Sequence, residues 1–490
     1  MSSFEEAIHL LENRINLEQL QTFAAEDMTG RLDTLRQLLS LFGSPETKYR
    51  TVHVAGTKGK GSVCAFLESM FLAEGKRVGT FTSPHLYSVT ERIRINGEAC
   101  SNEDFAQLVF SVCGKIEPAV LETLTYFELI TLLGFVYFAE QKIDVAVIEV
   151  GLGGRLDATS ICRPDTVVIS SISYDHIMQL GPALASIAAE KCGIIKPRIP
   201  VVSAVLHPEV QNVVRSKAKE ANAPVYFLDE SFFVKSSLAP QSSRFAFRFQ
   251  AMLPEFPLDY EIDGIELSMP GSHQIRNAAL AIAARLLLHQ HFAMPDVQCV
   301  REGLQRAILP LRVEIVHPSA PDKPVIILDG AHNRSSVRAF IKTVTERFPN
   351  RRMFLVFGVS MGKDVEGMIS ELSGFFYHIF LTQYSNSSRA FPAAGLKRIF
   401  ALDPGKVPQD DANDSGTNYM EPSVSLNPAI FDAVRMSAAN FDEEPANLES
   451  FSSCVEALQH CLRIATPNDI VCVTGSMYLA AELRKYIINQ

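Results

Sequence analysis

The sequence predicts an α/β fold with more than one domain, and three observations support this prediction. The chain has 490 residues, enough for two or three domains that each bury a full core. Apolar residues make up 47% of it and charged residues 20%, which is the composition of an ordinary globular protein. Short β-branched runs alternate with helix-like segments along most of the chain, and this alternation is typical of parallel strands connected by helices.

Nine apolar runs bounded by turn residues predict buried strands. Five lie in the first part of the chain and four in the last part: 51–54, 77–81, 144–149, 166–172 and 200–205, then 325–328, 353–359, 377–382 and 469–473. Between the two groups, residues 225–268 alternate more strongly and carry many aromatic and polar side chains. This middle segment favours an antiparallel edge or a small separate sheet.

A proline-rich segment, 306–324, predicts a connection between two domains, and we place the boundary at Pro310. A polar segment further on has a composition that favours a mobile excursion, although part of it, 424–438, could form a helix. The predicted organisation is a first domain, a second domain and an insertion within the second: 1–310, 311–490 and about 403–448.

Charge, cysteine content and hydropathy argue against several classes of protein. A net charge of −10, without a run of five like charges, argues against nucleic acid as the main partner. Nine cysteines without a C-x-x-C pair indicate neither a zinc cage nor a disulfide framework. The longest uncharged apolar stretch, 129–139, is shorter than the roughly 20 residues of a membrane helix, and residues 1–15 lack the pattern of a secretory signal. We therefore expect a cytoplasmic protein with reduced thiols and no membrane partner.

Residues 52–62, VHVAGTKGKGS, have the context of a nucleotide phosphate loop: a strand, a glycine-rich turn and a helix-like run. Glycines let backbone N–H groups converge on phosphate oxygens, and Lys60 would neutralise phosphate charge. The spelling differs from G-x-x-x-x-G-K-[ST] because Gly61 separates Lys60 from Ser62. The alternative is a tight turn with incidental lysines, but three glycines, two lysines and a hydroxyl in this context favour phosphate binding.

Polar residues at the ends of neighbouring strands predict a metal site beside this loop. Glu149 ends an apolar strand, where an acidic residue near a phosphate loop usually holds Mg²⁺, although an ion pair with Arg155 is the alternative. His176 follows the next strand. Ser83 lies in a Ser-Pro-His turn that spacing alone assigns no function, and a lone lysine such as Lys191 is more often solvated.

The chain as a whole resembles folylpolyglutamate synthase and the bifunctional dihydrofolate synthase/folylpolyglutamate synthase, which are Mur-ligase-like ATP-dependent amide ligases. Seven stretches in the family's order, between residues 50 and 480, carry the resemblance: HVAGTKGKGS, TSPHL with TERIRING, EVGLGGRLDAT, DH with LG and IAAEKCGIIK, GSHQIRNAALA, LDGAHN and VTGSMYL. It implies a first domain like the Mur-ligase central domain, with a P-loop and a mostly parallel sheet, and a smaller Rossmann-like C-terminal α/β domain.

The resemblance also implies a role for each site residue. The ATP phosphates would be held by Gly59, Lys60, Gly61 and Ser62, and magnesium, as one or two ions, by Ser83, Glu149 and His176. Other contacts to ATP would come from Asn277, Arg312 and Asp329, whereas Asp157 would lie near the pterin of the substrate. Three residues would take part in catalysis: Lys60, His332 and Lys191, the last of which matches a lysine that relatives carry as a carbamate.

The implied reaction joins L-glutamate to the carboxylate of a folate or of dihydropteroate through an acyl phosphate made from ATP. Because Arg312 and Asp329 lie beyond the first domain, we expect domain closure to complete the site, and the resemblance implies a monomer. Two departures from the family pattern occur: Leu311 replaces the glycine of a Pro-Gly-Arg linker, and Arg334 replaces a proline.

Two rival functions remain open from the sequence. One is a Mur-type ligase that acts on a cell-wall precursor, although the stretches EVGLGGRLDAT and TERIRING favour the folate branch. The other is a P-loop NTPase without ligase activity. It would explain the phosphate loop but would leave Asn277, Arg312 and Asp329 without a role.

Overall fold

The computed structural model describes residues 2–16, 30–175, 177–236, 243–253, 257–316, 323–385, 389–401 and 447–489. The chain divides into two compact units. The first comprises Met1–Ser236, Arg244–Ser268 and His273–Ile308, and the second Ser237–Ser243, Met269–Ser272 and Leu309–Gln490. Most of the predicted insertion, including the potential helix at 424–438, lies outside the described residues.

The first unit is built on a sheet to which eight strands of the described residues belong. In chain order the strands are β1 (Arg50–Ala55), β2 (Val78–Phe81), β3 (Ile93–Ile95), β4 (Glu98–Ala99), β5 (Val145–Glu149), β6 (Thr166–Ile169), β7 (Val201–Ser203) and β8 (Val225–Phe227). Their order in the sheet is β4-β3-β2-β5-β1-β6-β7-β8, and neighbouring strands pair in parallel except for β2 with β3 and β3 with β4, so that only β3 runs in the opposite direction. The carboxyl ends of β2, β5, β1 and β6 therefore meet at one edge, where open α/β sheets hold ligands.

A second, antiparallel sheet of the first unit contains β9 (Phe232–Ser236), β10 (Arg244–Met252) and β11 (Pro257–Glu266), in the order β11-β10-β9. The small sheet predicted from residues 225–268 is thus present, with one correction. Residues 225–227 form β8 of the large parallel sheet, because their short apolar run is buried against β7 instead of alternating.

Helices cover the faces of the large sheet. The first unit contains α1 (Ser3–Glu12), α2 (Arg31–Leu41), α3 (Lys60–Ala73), α4 (Asn102–Cys113), α5 (Pro118–Thr123), α6 (Tyr126–Glu140), α7 (Ile177–Leu180), α8 (Leu184–Cys192), α9 (Pro208–Glu220), α10 (Ser272–Leu286) and α11 (Val297–Arg306). Helix α6 is apolar all round and is buried in the main core, and it begins at a capping box in which Thr125 and Glu128 satisfy each other's backbone N–H groups. Within the described residues, no helix is long and apolar enough to cross a membrane.

The second unit contains a smaller sheet in the order β12-β13-β17-β14-β15-β16. Its described elements are β12 (Glu314–Val316), β13 (Val325–Leu328), α12 (Arg334–Arg347), β14 (Met353–Phe357), α13 (Val365–Leu372), β15 (His378–Leu381), α14 (Ala393–Ala401), β16 (Asn447–Ser450), α15 (Cys454–Ile464), β17 (Ile470–Thr474) and α16 (Met477–Ile488). Only β12 is antiparallel to its neighbour. The two-domain α/β architecture and all nine predicted strands are confirmed.

Two short edge strands correct the sequence analysis. The proline-rich segment 306–324 was expected to be a connection, but three of its residues form β12. The last two residues of the predicted insertion, at about 403–448, belong to β16, which begins at Asn447. Both strands are short and partly exposed, so neither has the continuous apolar run that identifies a buried strand.

The linker at the start of the second unit has an unusual backbone. Leu311, at the position where the resemblance implies a glycine, adopts φ +60°, and Val313 adopts φ +48°. Residues other than glycine rarely adopt these backbone angles, because the left-handed conformation costs them about 1–2 kcal/mol each. Leu311 is completely buried, and its N–H donates to Glu314 Oε2 at 3.0 Å. Leu311 therefore adopts a conformation suited to glycine and is held in it by packing.

We expect Leu311→Gly to be at least as stable to denaturant as Leu311→Ala. Both variants lose a buried side chain, and such truncations typically cost about 2–5 kcal/mol. Only glycine removes the left-handed strain, so the usual advantage of alanine over glycine, about 0.5–1 kcal/mol, should vanish or reverse. Urea unfolding followed by circular dichroism measures this difference.

An alanine variant that is more stable than the glycine variant by the usual margin would contradict strain at Leu311. Turnover of the Leu311→Gly variant provides a second readout. Kinetics equal to those of the parent protein would mean that the departure from Pro-Gly-Arg is neutral for activity.

Candidate active site

The phosphate loop, residues 56–62, joins the end of β1 to the start of α3. Gly59 is the N-cap of α3 and has φ +87°. The backbone angle favours glycine, and a Cβ atom there would lie 2.4 Å from Asn277 Oδ1 and would displace the side chain of this residue of α10. Asn277 is itself held by Gln274, whose Oε1 accepts from Asn277 Nδ2 at 2.9 Å. The structure thus brings the predicted residue Asn277 to the predicted loop.

Polar residues that follow β6 fix the other side of this loop. The hydroxyl groups of Ser170 and Ser171 donate to the carbonyl oxygen of Lys58 at 2.8 and 3.0 Å. The ammonium of Lys58 pairs with Asp175 Oδ2 at 2.9 Å. Because its carbonyl oxygen and its ammonium group both have partners, Lys58 anchors the loop. Helix α3 begins directly after this loop, so its free backbone N–H groups and the positive end of its dipole lie at the same edge of the sheet.

Lys60 and Glu149 meet at the edge of the sheet. Lys60 Nζ lies 4.0 Å from Glu149 Oε1, and the second carboxylate oxygen, Oε2, accepts the backbone N–H of Ser83 at 3.2 Å. Glu149 is only 5% exposed. A buried carboxylate requires cations or hydrogen-bond donors around it, and this one lies beside a lysine and a second strand end.

The oxygen atoms of Ser83 and Glu149 are the type of donor that a hard divalent cation prefers. These two predicted ligands are brought together, and their chemistry fits magnesium. The third, His176, lies outside the described residues. Among the residues that the structure describes, no group of three His, Cys, Asp or Glu side chains is arranged to hold a metal ion.

Lys191 lies near the end of α8 and is 5% exposed. Burial, together with the positive charges of Lys60 and Lys58, lowers its pKa to about 7, against the attraction of Asp175 and Asp157. Its sequence neighbour Glu190 pairs with Arg155 at 2.8 Å, so the simple Lys191–Glu190 ion pair is not formed. Arg155 likewise has its ion pair here, and this weakens the alternative of an Arg155–Glu149 pair.

The loop that carries Asp157 crosses the end of α8. Gly154 allows this crossing, because a Cβ atom there would lie 2.7 Å from the carbonyl oxygen of Glu190. The carboxylate of Asp157 is buried and accepts N–H groups from Leu152 at 2.9 Å and from Thr159 at 3.0 Å. Burial raises the pKa of this carboxyl group, and the hydrogen bonds oppose that shift.

The second unit contains the remaining predicted residues, Arg312, Asp329 and His332. Asp329 follows β13, and its oxygens accept the N–H groups of Val313 and Ala331, both at 2.8 Å. Burial raises the pKa of Asp329 to about 6, whereas the nearby guanidinium of Arg312 opposes the shift. Asp329 therefore connects the linker that carries Arg312 to the turn that carries His332.

His332 is oriented by its own turn. Its Nδ1 lies 2.8 Å from the carbonyl oxygen of Gly330. Because a carbonyl oxygen only accepts, Nδ1 carries the proton in this bond and Nε2 is left as an acceptor when the ring is neutral.

Several residues of the site were not identified from the sequence. They are Gln274, which holds Asn277; Ser170 and Ser171, which hold Lys58; and Thr159 and His53, which hydrogen-bond towards Asp157. A signal existed for the two serines, since polar residues that follow a buried strand lie at the ligand edge of the sheet. His53 had no such signal, because it lies within an apolar strand.

Comparisons with known proteins agree with this geometry. Residues 54–285 match the family model of the Mur ligase middle domain, and residues 311–415 match that of the Mur ligase glutamate ligase domain. A dihydrofolate synthase/folylpolyglutamate synthase of Bacillus subtilis is 34% identical over 462 residues, which is 93% of this chain and 94% of the relative.

Solved structures extend the likeness to the whole chain. The folylpolyglutamate synthase of Mycobacterium tuberculosis, complexed with ADP and AMPPCP, superposes with a TM-score of 0.77 at 26% identity and covers 99% of this chain and 98% of its own. A bifunctional folylpolyglutamate synthase/dihydrofolate synthase with Mn, AMPPNP and L-glutamate bound has a TM-score of 0.74 at 26% identity, over 100% of this chain and 98% of its own. The phosphate loop beside Asn277 and Glu149, and the second α/β unit that contains Arg312, agree with these comparisons. The chain belongs to the folylpolyglutamate synthase/dihydrofolate synthase family of Mur ligases.

Proposed function

We propose that the protein is an ATP-dependent ligase that joins L-glutamate to the carboxylate of a folate, of dihydropteroate, or of both. The observation that carries this proposal is the phosphate loop, in which Lys60 approaches the buried Glu149 at the carboxyl edge of the large sheet. A relative with matching length has this activity in its name, and a structural neighbour contains L-glutamate and an ATP analogue.

The reaction would proceed in two steps. The substrate carboxylate attacks the γ-phosphorus of ATP, which forms an acyl phosphate and releases ADP. The amine of L-glutamate then attacks the acyl carbon, an amide bond forms, phosphate leaves and the amine loses a proton. Such phosphoryl transfer depends mainly on positioning and on neutralising charge.

The residues of the first unit would bind the phosphates and position them. Gly59, Gly61 and Ser62 would contribute backbone N–H groups at the start of α3, and Lys60 a positive charge. Asn277, which touches the loop, would contact ATP. A divalent metal, when bound by Ser83, Glu149 and the predicted ligand His176, would neutralise further phosphate charge. In the second unit, Arg312, Asp329 and His332 would complete the set of ATP-side residues, and Asp157 would lie near the pterin.

Release of ADP distinguishes this function from its rivals. We expect release to require both L-glutamate and a folate-type acceptor, measured with dihydropteroate and with tetrahydrofolate in separate assays. A plain NTPase would hydrolyse ATP without glutamate. A ligase for cell-wall precursors would release no ADP with either acceptor. ADP release without glutamate, or no release with both acceptors, would overturn the proposal.

We expect Lys60→Ala to abolish ligation and to weaken ATP binding strongly while the fold stays intact. Lys60 is the first residue of α3, its side chain is 17% exposed, and its Nζ lies 4.0 Å from Glu149 Oε1. Its truncation removes no apolar core side chain, but it takes a positive charge away from the buried Glu149, so thermal unfolding is measured to check that the variant is folded. Calorimetric titration with an ATP analogue and glutamate-dependent ADP release measure the two effects. Lys235→Ala, on the exposed edge of β9, is a matched control that should leave both unchanged. Near-normal turnover of Lys60→Ala would remove the phosphate-loop interpretation.

Arg312→Ala should lower turnover sharply and leave the affinity for the folate substrate nearly unchanged. The proposed target of this arginine is ATP, whereas the proposed folate contacts belong to the first unit. Steady-state kinetics combined with equilibrium binding of the folate separate the two quantities. Equal losses in turnover and in folate affinity would argue against the assignment of Arg312 to ATP.

The finer proposal concerns Lys191, which we assign as a carbamate. Its neutral amine, favoured by burial and by two neighbouring lysines, can add CO₂ and become an anion with oxygen donors for a metal. We expect Lys191→Ala to lose activity that short carboxylic acids partly restore, and Lys191→Arg to be as inactive as the alanine variant. The same acids should not restore the Lys60→Ala variant. Near-normal activity of Lys191→Arg would mean that the residue acts as a cation.

A further inference from the structure

A buried hydrogen-bond chain connects strand β1 with the loop that carries Asp157. His53 lies in β1, is completely buried, and places its Nε2 2.9 Å from the hydroxyl oxygen of Thr159. The Thr159 hydroxyl in turn donates to Asp157 Oδ1. Neither His53 nor Thr159 has a role in the reaction described above.

The direction of each hydrogen bond in this chain is determined. A carboxylate that already accepts the N–H groups of Leu152 and Thr159 is an acceptor, so the single hydroxyl hydrogen of Thr159 points to Asp157. The hydroxyl oxygen can then only accept from the ring, and His53 Nε2 must carry a proton. The other ring nitrogen, Nδ1, is enclosed and has no hydrogen-bond partner among the described residues.

An unpartnered ring nitrogen in a core normally costs stability, by about 1–3 kcal/mol. An apolar residue would avoid this cost, because the residues paired with His53 on the two neighbouring strands, Ile148 and Val167, are both apolar. Burial, supported by the charge of Lys196, also lowers the pKa of His53 to about 3, so the ring is neutral. What the histidine supplies to the fold is therefore a single donor, aimed at Thr159.

We infer that His53 is a positioning residue for substrate binding: by donating to Thr159 it directs the hydroxyl hydrogen onto Asp157 and fixes that carboxylate as an acceptor for an N–H donor of the folate heterocycle. The inference rests on the proposed role of Asp157. It also means that β1 positions two parts of the site, since the same strand leads into the phosphate loop.

Two pairs of variants test the chain of hydrogen bonds. His53→Leu removes the donor and keeps a buried apolar side chain, whereas His53→Gln retains an N–H donor near the position of Nε2. Thr159→Val removes the hydroxyl at nearly constant volume, and Thr159→Ser retains it. We expect the KM for the folate substrate to rise about tenfold in the Leu and Val variants, because Asp157 is then no longer held in place to accept the folate N–H, and a hydrogen bond to a charged group contributes about that much to binding. The Gln and Ser variants should stay within about threefold of the parent protein, and the KM for ATP should change less than about twofold in all four.

The double variant His53→Leu/Thr159→Val should have a folate KM no higher than that of the more impaired single variant, because both substitutions break the same chain of hydrogen bonds. Equal rises in the KM values for folate and ATP would overturn the inference, as would Leu and Gln variants with the same folate KM. If His53→Leu does not fold, as judged by its thermal unfolding, the Val and Ser variants of Thr159 decide the outcome by the same criteria.

Asp157→Ala separates this inference from the proposed function. A raised folate KM in Asp157→Ala, with normal values in the His53 and Thr159 variants, would overturn the positioning role alone. An unchanged folate KM in Asp157→Ala would overturn both the role of Asp157 and this inference, while glutamate-dependent ADP release by the parent protein would still support the ligase.

Discussion

The electrostatic arrangement at the carboxyl edge of the large sheet depends on the proximity of Lys60 to Glu149. Glu149 is a buried carboxylate, and the nearby ammonium at 4.0 Å makes its charge tolerable there. Lys58 is committed elsewhere, since it pairs with Asp175. Lys191 is thus left in a buried position beside two other cations, and its neutral form is favoured. Burial is the main cause of the lowered pKa of Lys191, and the charges of Lys60 and Lys58 add to it.

A carboxylate has a comparable organising role in the second unit. Asp329 accepts backbone N–H groups from the linker and from the turn after β13, so one side chain sets the position of both segments. These hydrogen bonds stabilise the ionised form of the carboxyl group, but burial is the stronger effect and raises its pKa. In both units, then, a buried carboxylate near the end of a central strand draws together segments that are distant in sequence.

The sequence predicted those parts of the molecule that local patterns encode. All nine buried strands were identified because burial on both faces makes a strand continuously apolar, and Glu149 was identified because it directly follows such a run. The strands β3, β4, β12 and β16 were missed, and they are short, at least partly exposed and without that pattern. The contact between Gly59 and Asn277 and the link from His53 to Thr159 join distant segments, and no periodicity records such pairs. The identities of Asn277, Arg312 and Asp329 as candidates came from the family resemblance and not from their local sequence.

Backbone strain in the linker is concentrated around one residue. Leu311 and Val313, which flank Arg312, both adopt left-handed backbone angles, and for the β-branched Val313 such an angle is a genuine outlier. Such strain persists only where several independent contacts hold the backbone in that conformation. Here the side chains of both residues are buried, Glu314 accepts the N–H of Leu311, and Asp329 accepts the N–H of Val313. Glu314 is itself held by Arg484 at 2.9 Å. A flexible hinge would need none of these contacts. The linker conformation is therefore maintained by packing and by two carboxylates instead of by the backbone freedom of a glycine, and Arg312 lies between these fixed residues, near Asp329.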